Sequence, residues 1–199
     1  MTNFEDAIRD RAGMSDPSPL DDETRRVFDD VAEMTRGKTF FPPRYIDVLE
    51  SHGWDQIGTE TDASRKVFRN GDLVMKLDPI GMDPWRNENE VLNWTERLPE
   101  SAKAMFSPVL DYADDFGWLV MRYADTDSVT DQDHADLLHG LIVVHNLDMT
   151  DPHPNNVGLL DGVPVMIDYN FRPKEAAETP EARQEAYEIR VRNYTDTEP

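Results

Sequence analysis

Apolar residues along this chain recur at two different periods, and the change from one to the other divides it. In residues 21–34, Phe28, Val31 and Ala32 recur at the three- and four-residue spacing that lines one face of an α-helix, and Gly37 lies beyond the last turn. Pro42 and Pro43 interrupt, after which 45–51 predicts a second short helix closed by His52 and Gly53. Residues 1–19 are polar, end in Pro17-Ser18-Pro19, and read as a loose arm. From Trp54 onward the period shortens. Residues 54–58 and 65–69 predict strands, the second centred on Val67 and Phe68. Asn70-Gly71 predicts a tight hairpin, because both loop positions of such a turn need positive φ, and a third strand follows at 73–77.

A helix over 87–97 comes next, with Val91, Leu92 and Trp94 as expected buried residues. Strands at 108–110 and 117–123 flank a turn at Asp114-Asp115. Helical spacing returns in 131–145, where Leu138, Leu141, Ile142 and His145 share a face and Asn146 supplies a left-handed cap. Apolar runs at 157–160 and 163–167, joined by Asp161-Gly162, predict a second hairpin, and 182–192 a closing helix. The pattern shows no internal repeat. It divides the chain into a polar arm with helices (1–53), a strand-rich lobe with one helix (54–123) and a reduced helical lobe carrying its own hairpin (124–199). The fold class is α+β.

Charge changes this picture more than composition does. Against 41 acidic residues stand 20 basic ones, for a net charge of −21, and 15 of the 20 are Arg. The acids are scattered singly and in pairs between apolar clusters, as on a folded protein with an acidic surface rather than in a disordered tail. Such a surface is tolerated where salt is abundant, since the Debye length falls to roughly 3 Å at 1 M. The Lys-poor, acid-rich balance resembles proteins of salt-accumulating halophiles, so a halophilic cell or one of its viruses is the expected source, against an ordinary acidic mesophilic protein. No segment gathers Lys and Arg into a stripe, which argues against nucleic acid as a partner. With no cysteine there is neither a disulfide framework nor a thiolate metal site. Residues 1–10 lack the features of a signal peptide, and the aliphatic run 141–144 is far too short for a bilayer. The expectation is no membrane and a cytoplasmic protein.

The candidate chemistry lies in Asp151-Pro152-His153-Pro154-Asn155-Asn156, followed by a hairpin and then Asp168-Tyr169-Asn170. Phosphoryl transfer from ATP needs a carboxylate to orient the attacking hydroxyl, and a neutral oxygen donor with a second carboxylate to hold Mg2+ against the phosphates. Asp151 and Asn156, five apart on one loop, can supply the first two, and a two-stranded hairpin can return Asp168 beside them. A cluster of His145, Asp148, Asp151 and His153 offers a rival reading as a metal-dependent hydrolase.

This segment resembles the catalytic and metal loops of the protein-kinase-like superfamily, nearest its aminoglycoside-phosphotransferase and minimal-kinase branch, whose loop runs Asp-Leu-His-Pro-Gly-Asn. Asp151, His153, Pro154 and Asn156 match it; Pro152 and Asn155 replace Leu and Gly, and Asp168-Tyr169-Asn170 stands for Asp-Phe-Gly. The resemblance covers roughly residues 54–171, and small phage-encoded kinase-like proteins are similar in length and style. The resemblance implies a two-lobed protein-kinase-like fold with a truncated helical C-lobe and ATP as co-substrate. Lys76, at the end of Leu73-Val74-Met75-Lys76, would contact the phosphates, with Glu90, preferred over Glu88, holding its ammonium. Met121 and Tyr123 would border the adenine, Asp151 would be catalytic, and Asn156 and Asp168 would bind Mg2+. The implied reaction transfers the γ-phosphoryl group to a hydroxyl of a protein or small-molecule acceptor; the alternative is an inactive kinase-like nucleotide-binding or interaction scaffold. Two departures bear on that choice. Residues 58–64, where phosphate-covering glycines belong, hold one Gly and two acids, and only 28 residues follow Phe171.

Overall fold

The structure, a computed structural model, describes residues 20–38, 42, 44–57, 65–78, 85–169, 171–173 and 179–195. The arm at 1–19, the loop at 58–64 and Asn170 lie outside the described residues. Two compact units emerge, one within Ser15–Leu92 and Pro108–Tyr123, the other drawn from Asn93–Ser107 and Ala124–Pro199. Residues 93–107 thus group with the second half, and the helices before Trp54 group with the sheet.

The first unit is a five-stranded antiparallel sheet with helices. Its strands are β1 (Asp55–Ile57), β2 (Lys66–Asn70), β3 (Leu73–Leu77), β4 (Val109–Tyr112) and β5 (Trp118–Arg122), in the spatial order β1-β2-β3-β5-β4. Helix α1 (Asp22–Thr35) begins where Asp21 accepts a hydrogen bond from the Thr24 N–H at 2.8 Å, with Asp22 and Glu23 in the first turn favouring its positive end. Its buried residues, Phe28, Val31, Ala32 and Thr35, keep the spacing expected from the sequence. Helix α2 (Arg44–Ser51) adds Tyr45 and Leu49. Phe28 meets Trp54 and Trp118 edge-on at 5.0 and 5.3 Å, and Tyr45 meets Phe68 at 5.8 Å, so aromatic edges join the helices to the sheet. Polar contacts fix the same packing: Trp118 Nε1 donates to Asp29 at 2.8 Å, and Arg25 pairs with Asp111 at 2.8 Å.

The β2–β3 hairpin forms, but its turn is one residue later than expected. Asn70 pairs with Leu73, so the loop is Gly71-Asp72, and of these only Gly71 has positive φ (56°). That is the pattern of a II′ turn, which takes Gly first. The same unit contains helix α3 (Trp85–Leu92).

The second unit is mostly helical. Past α3 the chain widens into a π turn (Asn93–Arg97), with the Leu98 N–H bonded to the Asn93 carbonyl at 2.8 Å. This rotates the face predicted for 87–97: Val91 is buried as expected, Leu92 and Trp94 are only half-buried, and Asn93 is buried instead. A 3-10 segment (Glu100–Met105) leads to Phe106, which packs on Tyr169 and Phe171 at 5.0 and 5.6 Å. Helix α4 (Asp131–His139) starts at a reciprocal Thr130–Asp133 capping box, passes into a second π turn (Gly140–Val144) and is followed by Asn146 at φ 55°. Two small antiparallel pairs follow. One, β6 (Leu147–Met149) with β9 (Phe171–Pro173), had no counterpart in the sequence pattern; the other, β7 (Val157–Leu160) with β8 (Val163–Met166), is the expected hairpin. Its loop, Asp161-Gly162, has positive φ at both positions, as a I′ turn requires. Helix α5 (Pro180–Thr195) closes the described chain, tied to β6 by the Arg190–Asp148 ion pair. Among the described residues no helix is long and apolar enough to cross a membrane.

Candidate functional site

Strand residues two apart share a face, and so do cross-strand partners. Met75 and Leu77 therefore point with Phe68, Val120 and Trp118 into the aromatic core under α1 and α2. The opposite face carries Val74, Lys76, Leu119 and Met121, through the pairings Val74↔Met121 and Lys76↔Leu119. Continuing the β2–β3 pairing one step past Lys66↔Leu77 sets Arg65 opposite Asp78, on the Lys76 side.

The charged groups on this second face are nearly sealed. Lys76 Nζ lies 2.7 Å from Glu90 Oε2, which α3 delivers, and both side chains are almost wholly buried at 7% and 2% exposure. Arg65 Nη1 lies 2.6 Å from the other oxygen, Oε1. Asp78 Oδ2 accepts the Asn87 N–H at 3.0 Å, and the Asn87 amide donates to the carbonyls of Lys76 and Phe116, stitching α3 to the ends of β3 and β5. Burial pushes the Asp78 carboxyl above its ordinary pKa, opposed first by the charge of Arg65 and then by the Asn87 N–H, Arg86 and Lys76. Met121 is buried on the Lys76 face. Tyr123 follows β5 with its N–H bonded to the Asp72 carbonyl at 2.7 Å, and the Arg69 guanidinium sits 3.4 Å from its ring centroid. Its backbone donor is thus spent within the sheet.

The second unit holds the other expected residues. Asp151 is exposed at the start of the loop after β6, and the 3-10 turn Pro154–Asn156 returns the chain toward it. Asn156 Nδ2 donates to the Asp151 carbonyl at 3.1 Å and to its carboxylate at 3.2 Å, so the five-residue spacing does bring the two side chains together. The Ile167 N–H bonds to the Asn156 carbonyl at 2.9 Å, which brings the backbone one residue before Asp168 to the same turn. The loop is anchored from α4: His134, buried, places Nε2 2.8 Å from the Pro152 carbonyl. A carbonyl only accepts, so Nε2 carries the proton.

The donor set suits Mg2+. Asn156 spends its amide N–H groups on Asp151, which leaves its oxygen able to ligate a cation, and Asp168, next to the Ile167–Asn156 backbone bond, would add a carboxylate. Mg2+ is commonly held by one or two such groups completed by water and phosphate oxygens. The rival hydrolase cluster does not assemble. Among the described residues no three His, Asp or Glu groups converge. Instead His145 contacts Ser101, Asp148 pairs with Arg190, and His153 Nδ1 accepts the Asn155 N–H.

Arg65, Asp78, Asn87 and His134 were not among the residues expected from sequence. The first two carry a period-two signal with Lys76 once the hairpin pairing is known; His134 carries none, because it meets the loop across 18 residues.

No family model matches the sequence, and no curated protein matches it. Solved structures do. One is the bifunctional kinase-methyltransferase WbdD, at 22% identity over 68% of this chain and 36% of that one, with a TM-score of 0.46. A 2.2 Å crystal structure of WbdD matches at 20% identity with the same coverage and TM-score. WbdD with the kinase inhibitor LY294002 matches at 21% identity over 59% of this chain and 33% of that one, with a TM-score of 0.42. The chain spans about a third of the length of these structures.

Proposed function

We propose that this chain is a protein-kinase-like phosphotransferase that moves the γ-phosphoryl group of ATP to a hydroxyl of a protein or small-molecule acceptor. The observation that carries the reading is the sealed Lys76–Glu90 pair on the sheet face shared with Met121. A buried ion pair is weak evidence for stability, because an apolar pair would often serve as well, so its presence points to a role for the ammonium. Lys76, oriented by Glu90, holds phosphate oxygens. Met121 lines the base, and Tyr123 borders it through its ring or carbonyl rather than its N–H. Asp151 takes the proton of the acceptor hydroxyl as its oxygen bonds to the γ-phosphorus and the bond to the β,γ-bridging oxygen breaks, releasing ADP. Asn156 and Asp168 hold Mg2+, which when bound supplies charge neutralisation on the phosphates.

The glycine-poor, acidic stretch 58–64 favours a second reading, nucleotide binding without turnover. One experiment separates them. Binding of Mg·ATP is measured by calorimetry in concentrated KCl, the medium the acidic surface calls for, alongside ATP consumption with cell extract as acceptor source. Asp168→Asn should weaken both binding and turnover. Asp151→Asn should spare binding and slow transfer by roughly 10²–10⁴-fold. Binding without turnover by any acceptor would favour the scaffold, and unchanged turnover in Asp151→Asn would sink the mechanism.

A further inference from the structure

Glu90 has two carboxylate oxygens, and each meets a different cation. Lys76 Nζ hydrogen-bonds Oε2 at 2.7 Å, and Arg65 Nη1 lies 2.6 Å from Oε1 as an ion pair without hydrogen-bond alignment. The side chains of the two cations are exposed to nearly the same small degree, 7% for Lys76 and 10% for Arg65. We propose that Arg65 is a second phosphate-binding cation, sharing Glu90 with Lys76, and that the two together form a site for a polyphosphate chain. The identity of the ligand as a nucleotide rests on the phosphotransferase reading; the pairing of the cations does not.

Charge makes the case. A lysine paired with a glutamate carries no net charge, whereas the triad with Arg65 carries one positive charge and so adds a net attraction for a polyanion. That matters in a chain of net charge −21 whose residues 58–64, where the resemblance puts a phosphate-covering loop, hold Glu60 and Asp62. Geometry makes it possible. A guanidinium has five N–H donors in a rigid fork, so it can grip a carboxylate and a phosphate oxygen at once, which an ammonium does less well. Asp78 is the competitor, since it sits opposite Arg65 in the extended β2–β3 pairing. Burial raises the pKa of this carboxyl, and the charge of Arg65 is the first influence opposing that shift. The rival account is that Arg65 only neutralises Glu90 and Asp78, a structural task that no ligand would sense.

The test is a ligand series at one KCl concentration, by calorimetry, on wild type, Arg65→Gln and Arg65→Lys, with an unfolding scan of each. If Arg65 binds phosphate, Arg65→Gln weakens Mg·ATP by about ten- to hundredfold, the range of one charge-assisted hydrogen bond, and leaves adenosine affinity unchanged. Arg65→Lys, which keeps both the charge and a partner for Glu90, recovers part of the loss even if Arg65→Gln folds poorly. Unchanged ATP affinity in Arg65→Gln, or equal losses for ATP and adenosine in both variants, overturns the proposal. Should wild type bind no ATP, inorganic tripolyphosphate decides. Binding that depends on Arg65 keeps the anion site and discards the nucleotide, and no binding discards both.

Discussion

Glu90→Gln is the substitution that most directly probes the ionic face of the sheet. The variant keeps size and one acceptor oxygen but removes the charge that two buried cations share. Removing one partner from a buried pair typically costs about 3–5 kcal/mol, because an uncompensated charge remains in a dry site. For a chain of this size each kcal/mol moves the unfolding midpoint by about 2–4 °C, so a fall of about 6–20 °C is expected. Urea unfolding followed by Trp fluorescence reads the free energy directly, and Trp54 and Trp118 report from the core beneath the same sheet. A second variant sharpens the inference. If Lys76 and Glu90 were an isolated pair, Lys76→Met with Glu90→Leu would restore most of the loss, since buried pairs often exchange for apolar ones at little cost. With Arg65 as a third member the double variant leaves a guanidinium facing leucine and stays well below wild type. A Glu90→Gln cost within about 1 kcal/mol would place these contacts with ordinary surface ion pairs. A double variant as stable as wild type would remove Arg65 from the group.

Two further outcomes follow from the second unit. A Cβ added at Gly158 would lie 2.7 Å from the Ala124 Cβ and 3.1 Å from that residue's carbonyl atoms, while reciprocal Asp125–Leu159 backbone bonds prevent separation. Gly158→Ala should therefore cost about 1–3 kcal/mol in urea unfolding, and an unchanged midpoint would mean the two segments can part. Burial holds His134 below the ordinary imidazole value of 6.5, opposed by its bond to Pro152 and reinforced by nearby His153, with Asp131 acting the other way. The unfolded chain then takes up a proton that the folded chain refuses, so the His134 contribution is complete above that value and is lost as pH falls below it. The stability advantage of wild type over His134→Gln, which cannot titrate, should shrink between about pH 7.5 and pH 5.5; an advantage that is constant or grows contradicts the assigned direction.

Legibility from sequence tracked how local each interaction is. The Asp151–Asn156 contact spans five residues of one loop, and the spacing alone brings the side chains together. Lys76 and Glu90 are legible only through the resemblance to kinase motifs, because the two lie 14 residues apart on different elements and neither stands out alone. The π turns at Asn93–Arg97 and Gly140–Val144 escaped, since a 3.6-residue period has no way to signal one extra residue in a turn. Asn93 is buried because its amide donates to the Tyr169 carbonyl, 76 residues away, at 2.6 Å. The β6–β9 pair escaped for a similar reason: three-residue strands, one ending in Pro173, carry too little alternation to register.

The Gly71-Asp72 turn has a consequence for how the sheet finds its alignment. Asn70-Gly71 is the stronger local turn signal, and a hairpin built on it would slide β2 against β3 by two residues. Every side chain would keep its face, so the hydrophobic pattern cannot reject the error. Charge can. The slide would bring Arg65 opposite Lys76, cation against cation, where the observed alignment, continued one step past Lys66↔Leu77, sets it opposite Asp78. Local propensity and long-range electrostatics thus disagree at this hairpin, a point of frustration that is settled only once α3 brings in Glu90 and the Asn87 amide. The buried ions select one of two otherwise equivalent pairings, which gives them a part in folding fidelity whatever ligand they later meet.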